Sequence, residues 1–515
     1  MGKKLKLKNI YLLVSAKRKK ILMKRMNLLI IGMLVSSQLL MAGALVTNTN
    51  GSAAWARMLA RNATLGVDAV YFNPAGLAQM NNGLHLSLSN QTIFQTRTIT
   101  SDYTYLAGSP KTYQADLMAP IFPSIYAAYK MDKWTFSAGF HVIGGGGSAD
   151  FSAGLPSFEI PVASVVPMLQ GALAPIDAGF TGLGAPDPMF RNVTGYNLSA
   201  SFNGSSAYMG YQLGATYAIN DMISVAIGGR LVTAKNSYEG ALTGVTISAA
   251  PTSGAFTGIP GDYLRAVAGT PGLNAATVAL LNGTAGALDL GTADAHLKAI
   301  QTGMGFTPFI SVNLHLTDMI NIAAKYEHHT KIELTNDTEV DDVDMFPDGE
   351  KVRADLPGMF AVGVELKPLN KLTAAVGFNY FLDKSAYYGE ESEAGEQINN
   401  DLTIDQNGYS YQIGLEYKLL GILGISAGYS GGNNGVNDNY QSDLSYALKS
   451  QTVGGGVFID VTKMITINAA VCFTFYDDYS KSQTYTPTGF PVAVPFTDTY
   501  GKKTTIIAVG VDINL

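Results

Sequence analysis

Hydrophobic and polar residues alternate with a period of two over most of this chain, from residue 83 to the last. In the final segment Ile507, Val509, Val511, Ile513 and Leu515 are apolar, and Ala508, Gly510, Asp512 and Asn514 lie between them. Trp134, Phe136, Ala138, Phe140 and Val142 share one face of another segment, with Thr135, Ser137, Gly139 and His141 on the other. Such alternation predicts strands with one apolar face. It recurs at 223–233, 308–316, 320–328, 360–366, 372–380, 409–417, 423–429, 453–459 and 465–475, and less regularly at 84–97, 123–130 and 207–218. The count is fourteen strands in seven hairpins.

The connections alternate in length. Met131-Asp132-Lys133, Asn220-Asp221, Thr317-Asp318, 367–371, 419–421 and 461–463 are short, whereas 99–120, 144–205, 243–304, 334–356, 386–407, 431–450 and 480–502 are long. An even number of strands, with short turns at one end and long loops at the other, predicts an all-β fold: a 14-stranded antiparallel transmembrane β-barrel. Closing the sheet pairs every backbone group, which lipid requires. Trp134, Tyr129, Tyr217, Tyr326, Tyr380, Tyr411, Tyr417 and Tyr429 fall at strand ends and suit interfacial girdles.

Composition sharpens this choice. Charged residues make up 14% of the chain, against about 25% in an ordinary soluble protein, so a soluble sandwich or propeller of this size would lack surface charge. Mean hydropathy is only +0.13, and after residue 45 no run approaches the ~20 apolar residues of a membrane helix. The single Cys excludes a disulfide scaffold.

The first 44 residues hold ten basic residues and no acidic one, then the thirteen-residue apolar stretch Leu28–Leu40, then Ala42-Gly43-Ala44. Those are the three parts of a cleaved export signal, and thirteen residues are too few to span a bilayer. Met1 and Met26 are alternative starts. Cleavage after residue 44 leaves 24 basic against 40 acidic residues, so net charge goes from −6 to −16. Nucleic acid is therefore not an expected partner.

Residues 45–82 do not alternate; their small residues and Asn suit a compact plug rather than wall, and 83–515 make the barrel. The sharpest motif of the chain lies there, Asn73-Pro74-Ala75-Gly76, in which Pro biases Asn73 away from helix and Gly permits a turn. A small-residue segment with NPAGLA just ahead of fourteen strands resembles the long-chain fatty-acid transporter family of outer-membrane proteins, the FadL/TodX type. The stretch from Leu356 to Pro368 is similar to that family's LP-then-strand pattern. The likeness covers the mature chain in layout and about forty residues in specific letters. It departs at Leu515, where such barrels commonly end in an aromatic residue.

The resemblance implies an N-terminal hatch inside the lumen. It also implies passive uptake of long-chain fatty acids or other hydrophobic compounds across the bacterial outer membrane: capture by apolar loops, passage through an internal pocket, and hatch-gated lateral exit. An aromatic hydrocarbon channel of the same type and a surface adhesion barrel are the alternatives. Expected partners are the hydrophobic substrate, outer-membrane lipid and lipopolysaccharide. A monomer is the default, because an internal hatch and a lateral exit need no neighbour.

The long loops carry apolar residues, with Val165, Val166 and Leu169 in 144–205 and Leu264, Val278 and Leu281 in 243–304. These either form a landing site or pack on each other as a cap. Two short helices are expected in the second loop, one from Asp262 and one capped by Asn274 and ending before Gly283. Gly144 to Gly147 either begin a loop or weaken the third strand's ladder; Gly139 and Gly144 are the candidate lateral-gate glycines. Strand phase turns Arg230, Lys325, Glu327, Glu365, Glu416 and Asp512 inward. They either brace hatch to wall or, at Arg230 or Lys325, bind a substrate carboxylate.

Enzyme chemistry is not expected. The six His are scattered; His328 and His329, adjacent on one strand, point opposite ways; Cys472 has no paired base. No catalytic residue, metal site or cofactor is assigned.

Overall fold

The computed structural model describes residues 47–182, 189–250, 254–389, 402–487 and 492–515. The expected signal peptide lies outside the described residues.

Fourteen strands close into one antiparallel barrel. In chain order they are β1 (Gly83–Ser101), β2 (Lys111–Met131), β3 (Trp134–Phe151), β4 (Val193–Ala218), β5 (Ile223–Ala249), β6 (Ala295–Thr317) and β7 (Ile320–Glu327). The second half comprises β8 (Met359–Leu369), β9 (Leu372–Phe381), β10 (Tyr409–Lys418), β11 (Leu423–Asn433), β12 (Ser450–Asp460), β13 (Ile465–Tyr476) and β14 (Val494–Asn514). Each pairs with its chain neighbours, and β1 pairs with β14 from His85↔Asn514 to Ser101↔Asp498, which closes the sheet on itself. Near the turn end the outward positions are apolar and exposed, including Leu213, Ile227, Ile310, Val376, Ile413 and Val509. In water such a belt would be costly; in a bilayer it is the solvated surface. At the turn end the Trp134 ring packs on Tyr217 at 4.7 Å.

The strands run beyond the belt. β4 and β5 are 26 and 27 residues long, where about 10 suffice to cross a bilayer. The loops expected at 144–205 and 243–304 therefore begin later and end sooner, since β3 reaches Phe151, β4 starts at Val193, β5 reaches Ala249 and β6 starts at Ala295. Above the belt the ladder is held by its backbone bonds and by cross-strand hydroxyl pairs such as Thr100–Thr112 (2.9 Å), so no hydrophobic alternation signals it.

The first long loop carries α3 (Pro156–Ala163), α4 (Val165–Ala172) and α5 (Ala174–Gly182); the second carries α6 (Pro260–Ala268) and α7 (Ala275–Gly291). Both helices read from the sequence are present, and Asn274 caps α7 by accepting from Thr277 N at 2.9 Å. The helix runs through Gly283, however, ending at Gly291 rather than before residue 283. Packing outweighs one glycine's cost of about 1 kcal/mol, since Leu281, Ala285 and Leu288 are buried on one side of it.

Residues 47–82 lie inside the barrel with two short helices, α1 (Ala53–Arg57) and α2 (Ala69–Phe72), and a 3-10 turn over Pro74–Gln79. Ala53 to Thr64 and Val67 to Ala78 are buried.

Candidate functional site: hatch, wall gap and mouth cavity

The hatch is knotted internally by polar side chains. Ser52 caps α1 by accepting from Trp55 N (2.9 Å) and donates to Asp68 Oδ2 (2.9 Å). The Asp68 carboxylate also receives the Arg61 guanidinium at 2.6 and 3.0 Å. The Asn-Pro-Ala-Gly motif is a second knot. Asn73 Oδ1 accepts from Gly76 N (3.2 Å), while its Nδ2 donates to Thr64 O (3.1 Å) and to Asn313 Oδ1 on β6 (2.8 Å). A Cβ on Gly76 would sit 2.3 Å from Asn73 Nδ2, so the fourth motif residue must lack a side chain.

The second knot is tied to three neighbouring strands of the wall. Pro74 O accepts from Thr216 on β4 (2.8 Å), Ala75 O accepts from Ser224 on β5 (2.7 Å), and Ala75 N donates to Ser311 on β6 (3.3 Å). Across the bore, Arg57 pairs with Glu416 on β10 and donates to Asn468 on β13 (2.8 Å) and Ser426 on β11 (2.6 Å).

A third tie gathers the inward charges read from the sequence. Arg230 on β5 and Lys325 on β7 both bind Glu327, at 2.6 and 2.8 Å. Lys325 Nζ also donates to Tyr71 O of the hatch (2.5 Å), and both cations lie over the Tyr71 ring, at 5.2 and 4.3 Å. All three charged groups are buried. The arrangement braces hatch against wall, and an incoming carboxylate would have to compete with Glu327 for either cation. Of the other inward acids, Asp512 accepts from Asn468 (2.8 Å) and Glu365 pairs with Lys367 (3.3 Å).

The wall is unzipped at one place. β2 and β3 pair from Met131↔Trp134 to Ser124↔His141 and no further, although β2 runs back to Lys111 and β3 on to Phe151. Above that point β3 stays with β4 through two irregularities, at Val142/Gly144 and Gly145/Gly147. Gly145 and Gly146 take φ of 64° and 110°, left-handed values that favour glycine. The Phe122 ring from β2 lies so close that a Cβ on Gly146 would come within 2.4 Å of it.

Into this gap the N-terminal end of the hatch is stitched. Thr47 bridges to Gly144, Asn48 N donates to Ile143 O (2.7 Å), and Asn48 Nδ2 donates to Gly145 O (2.9 Å). Gly144 thus lies on the unzipped edge. Gly139 does not; it is paired on both sides, to Tyr126 and Gln212, and lies against the hatch residue Val70.

At the loop end a cavity of about 560 Å³ opens. Phe158, Leu242, Leu297, Leu444 and Phe496 give it apolar walls, and Lys481, Asp498 and Asp443 add charge. The six loop residues singled out from sequence form one core above it. Val165, Leu169, Leu264 and Leu281 are buried there, with Val166 and Val278 packed on them. They pack on one another, and the large apolar residues exposed on these two loops, among the described residues, are Ile259, Leu280 and Leu290.

Three inward cations escaped the strand reading. Lys481 and Lys502 fell in a stretch read as loop (480–502), and Arg97 at the end of a strand whose alternation had already faded. The pairing of Arg97 with Lys502 on the β1–β14 ladder supplies the missing phase. The histidine reading also changes. β7 ends at Glu327, so His328 and His329 leave the strand and their rings lie 4.4 Å apart. Among the described residues no group of three metal-ligating side chains is present.

No protein-family model and no curated protein matches the sequence. Solved structures do. A Pseudomonas aeruginosa FadL homologue superposes over 92% of this chain and 99% of its own, with a TM-score of 0.57 and 12% identity. The chain has the fold of the FadL and TodX barrels. The Pseudomonas putida toluene transporter TodX covers 91% of this chain with 100% of its own, at a TM-score of 0.52 and 16% identity.

Proposed function

We propose that this chain is a passive channel for hydrophobic compounds in the bacterial outer membrane, with the signal peptide 1–44 removed and 45–82 acting as hatch. A hydrophobic molecule gains nothing from a water-filled bore; it needs an apolar path from the outer surface to the lipid. Ile259, Leu280 and Leu290 on the loops and the cavity beneath them supply the entry. The FadL and TodX fold places this chain among barrels of which one is a toluene transporter.

The observation that carries the reading is the unzipped β2–β3 seam, into which Thr47 and Asn48 of the hatch are stitched. A ladder left open mid-wall wastes backbone pairing unless something passes there. Phe122 and Leu117 on β2 and the glycines of β3 give the seam small, apolar edges. Movement of the N-terminal end away from Gly144 would open a lateral route into the bilayer.

Uptake of labelled oleate and toluene by cells with and without the chain tests the reading. Faster uptake of at least one compound in cells that carry the chain is expected. Equal rates for both compounds, with the barrel present in the membrane, would contradict it and leave surface adhesion.

A further inference from the structure

The short turns form a rim whose two halves differ in charge. On one side lie three consecutive hairpins, β8–β9, β10–β11 and β12–β13, which are neighbours in the wall. Their turns, 367–371, 418–422 and 460–464, hold four lysines (Lys367, Lys371, Lys418 and Lys463) against one aspartate, Asp460. The other three turns, 130–134, 219–222 and 317–319, hold two lysines against three aspartates, Asp132, Asp221 and Asp318. In a chain with 40 acidic and 34 basic residues, the first half runs against the overall composition.

The protein itself does not use up these lysines. Lys418 reaches Asp460 (2.7 Å) and Lys367 reaches Glu365 (3.3 Å), yet their side chains stay 41% and 44% exposed. Lys371 and Lys463 are exposed and, among the described residues, pair with no carboxylate. Beside them stand large apolar side chains, also exposed: Leu369, Leu419, Leu420, Ile422, Val461 and Met464. Leu419 and Val461 continue the outward phase of Tyr417 and Ile459, so this surface is continuous with the lipid-facing belt rather than a separate face for a protein. It also runs past Tyr417, the girdle residue of β10. Lysine suits that depth, because its methylene stem can lie along acyl chains while its ammonium reaches the headgroups.

We propose that this half of the rim, from β8 to β13, is a binding surface for anionic phospholipid in the leaflet that faces the turns. The apolar tips sit among the acyl chains, and Lys367, Lys371, Lys418 and Lys463 bind the headgroup phosphates. A zwitterionic headgroup carries its own cation, which opposes the lysines; a headgroup of net negative charge, such as phosphatidylglycerol, does not. The half of the rim that carries Asp132, Asp221 and Asp318 has no such preference, so the barrel holds its anionic lipids on one side. The surface lies outside the bore and is independent of what passes through it.

The test is quenching of tryptophan fluorescence by brominated lipid. The full barrel is reconstituted in phosphatidylcholine liposomes containing an equal minor fraction of either brominated phosphatidylglycerol or brominated phosphatidylcholine. The reporter is W134F/L420W, which removes the lipid-facing tryptophan and leaves Trp55, buried in the hatch. Heat-modifiable migration checks that the barrel is closed. Both lipids are expected to quench the indole at position 420, brominated phosphatidylglycerol at least about twofold more strongly. Adding K371Q/K463Q is expected to bring the two lipids level, whereas adding K133Q, on the other half of the rim, leaves the difference in place. Quenching by neither lipid would put the tips in water or against a protein and overturn the site. Equal quenching by the two lipids in the reporter barrel would also overturn it, as would a difference that K371Q/K463Q preserves or K133Q abolishes. If W134F/L420W does not close, W134F/V461W is read by the same criteria.

Discussion

Single side chains decide whether the hatch stays seated. Asn73 is wholly buried and makes three hydrogen bonds, one of them to the wall. Asn73→Ala takes the side-chain donor from Thr64 O and cuts the tie to Asn313 on the wall, at a cost of about 2 kcal/mol. The barrel, whose ladder is untouched, should still migrate as a closed, heat-modifiable species, while limited proteolysis of 47–82 should quicken at least tenfold. At the other end, burial pushes the Asp498 carboxyl up to about 7, with Asp443 and Asp102 adding repulsion and Lys481 opposing it. A carboxyl that binds its proton more tightly when folded stabilises the fold at acid pH. Its contribution is full below about 4, the ordinary aspartate value, and is lost as pH rises through about 7. Amides around Val494–Tyr500, with the intrinsic pH dependence of exchange divided out, should therefore be better protected at pH 5 than at pH 8, and Asp498→Asn should flatten the difference; a wild-type profile in that variant would refute the assignment.

At the scale of elements, the kinked third strand is the distinctive feature. Its two irregularities and two left-handed glycines peel β3 away from β2 while keeping it on β4. Gly146→Val strains a φ of 110° and drives its Cβ into Phe122. Uptake should drop severalfold with the barrel still closed, and uptake at the wild-type rate would mean the seam is not on the route. The glycine run was visible in the sequence, but its effect was not. Composition showed that the ladder could weaken there; only the register shows that β2 and β3 part at His141, just before the run, and that Thr47 fills the space.

Across the whole molecule, much was legible because lipid imposes a strict rule. Outward residues must be apolar wherever the wall meets the bilayer, so alternation marked all fourteen strands and the short turns between them. Where the wall rises above lipid that rule lapses, which is why the tops of β3, β4, β5, β6 and β14 read as loop and why Lys481 and Lys502 went unseen. The hatch was legible through Asn73 to Gly76, whose spacing encodes a local turn. Its partners were not, since Glu327, Asn313 and Glu416 come from strands over 200 residues away.

The central claim is that the N-terminal end of the hatch must leave the β2–β3 seam for substrate to pass. Thr47 and Gly144 face each other across a bridge, at a separation two cysteines can span. Labelled-oleate uptake by T47C/G144C, measured oxidised and then after reduction, tests this most directly. The account predicts uptake near background when the disulfide is formed and recovery to the wild-type rate on reduction; wild-type uptake by the fully cross-linked protein would contradict it.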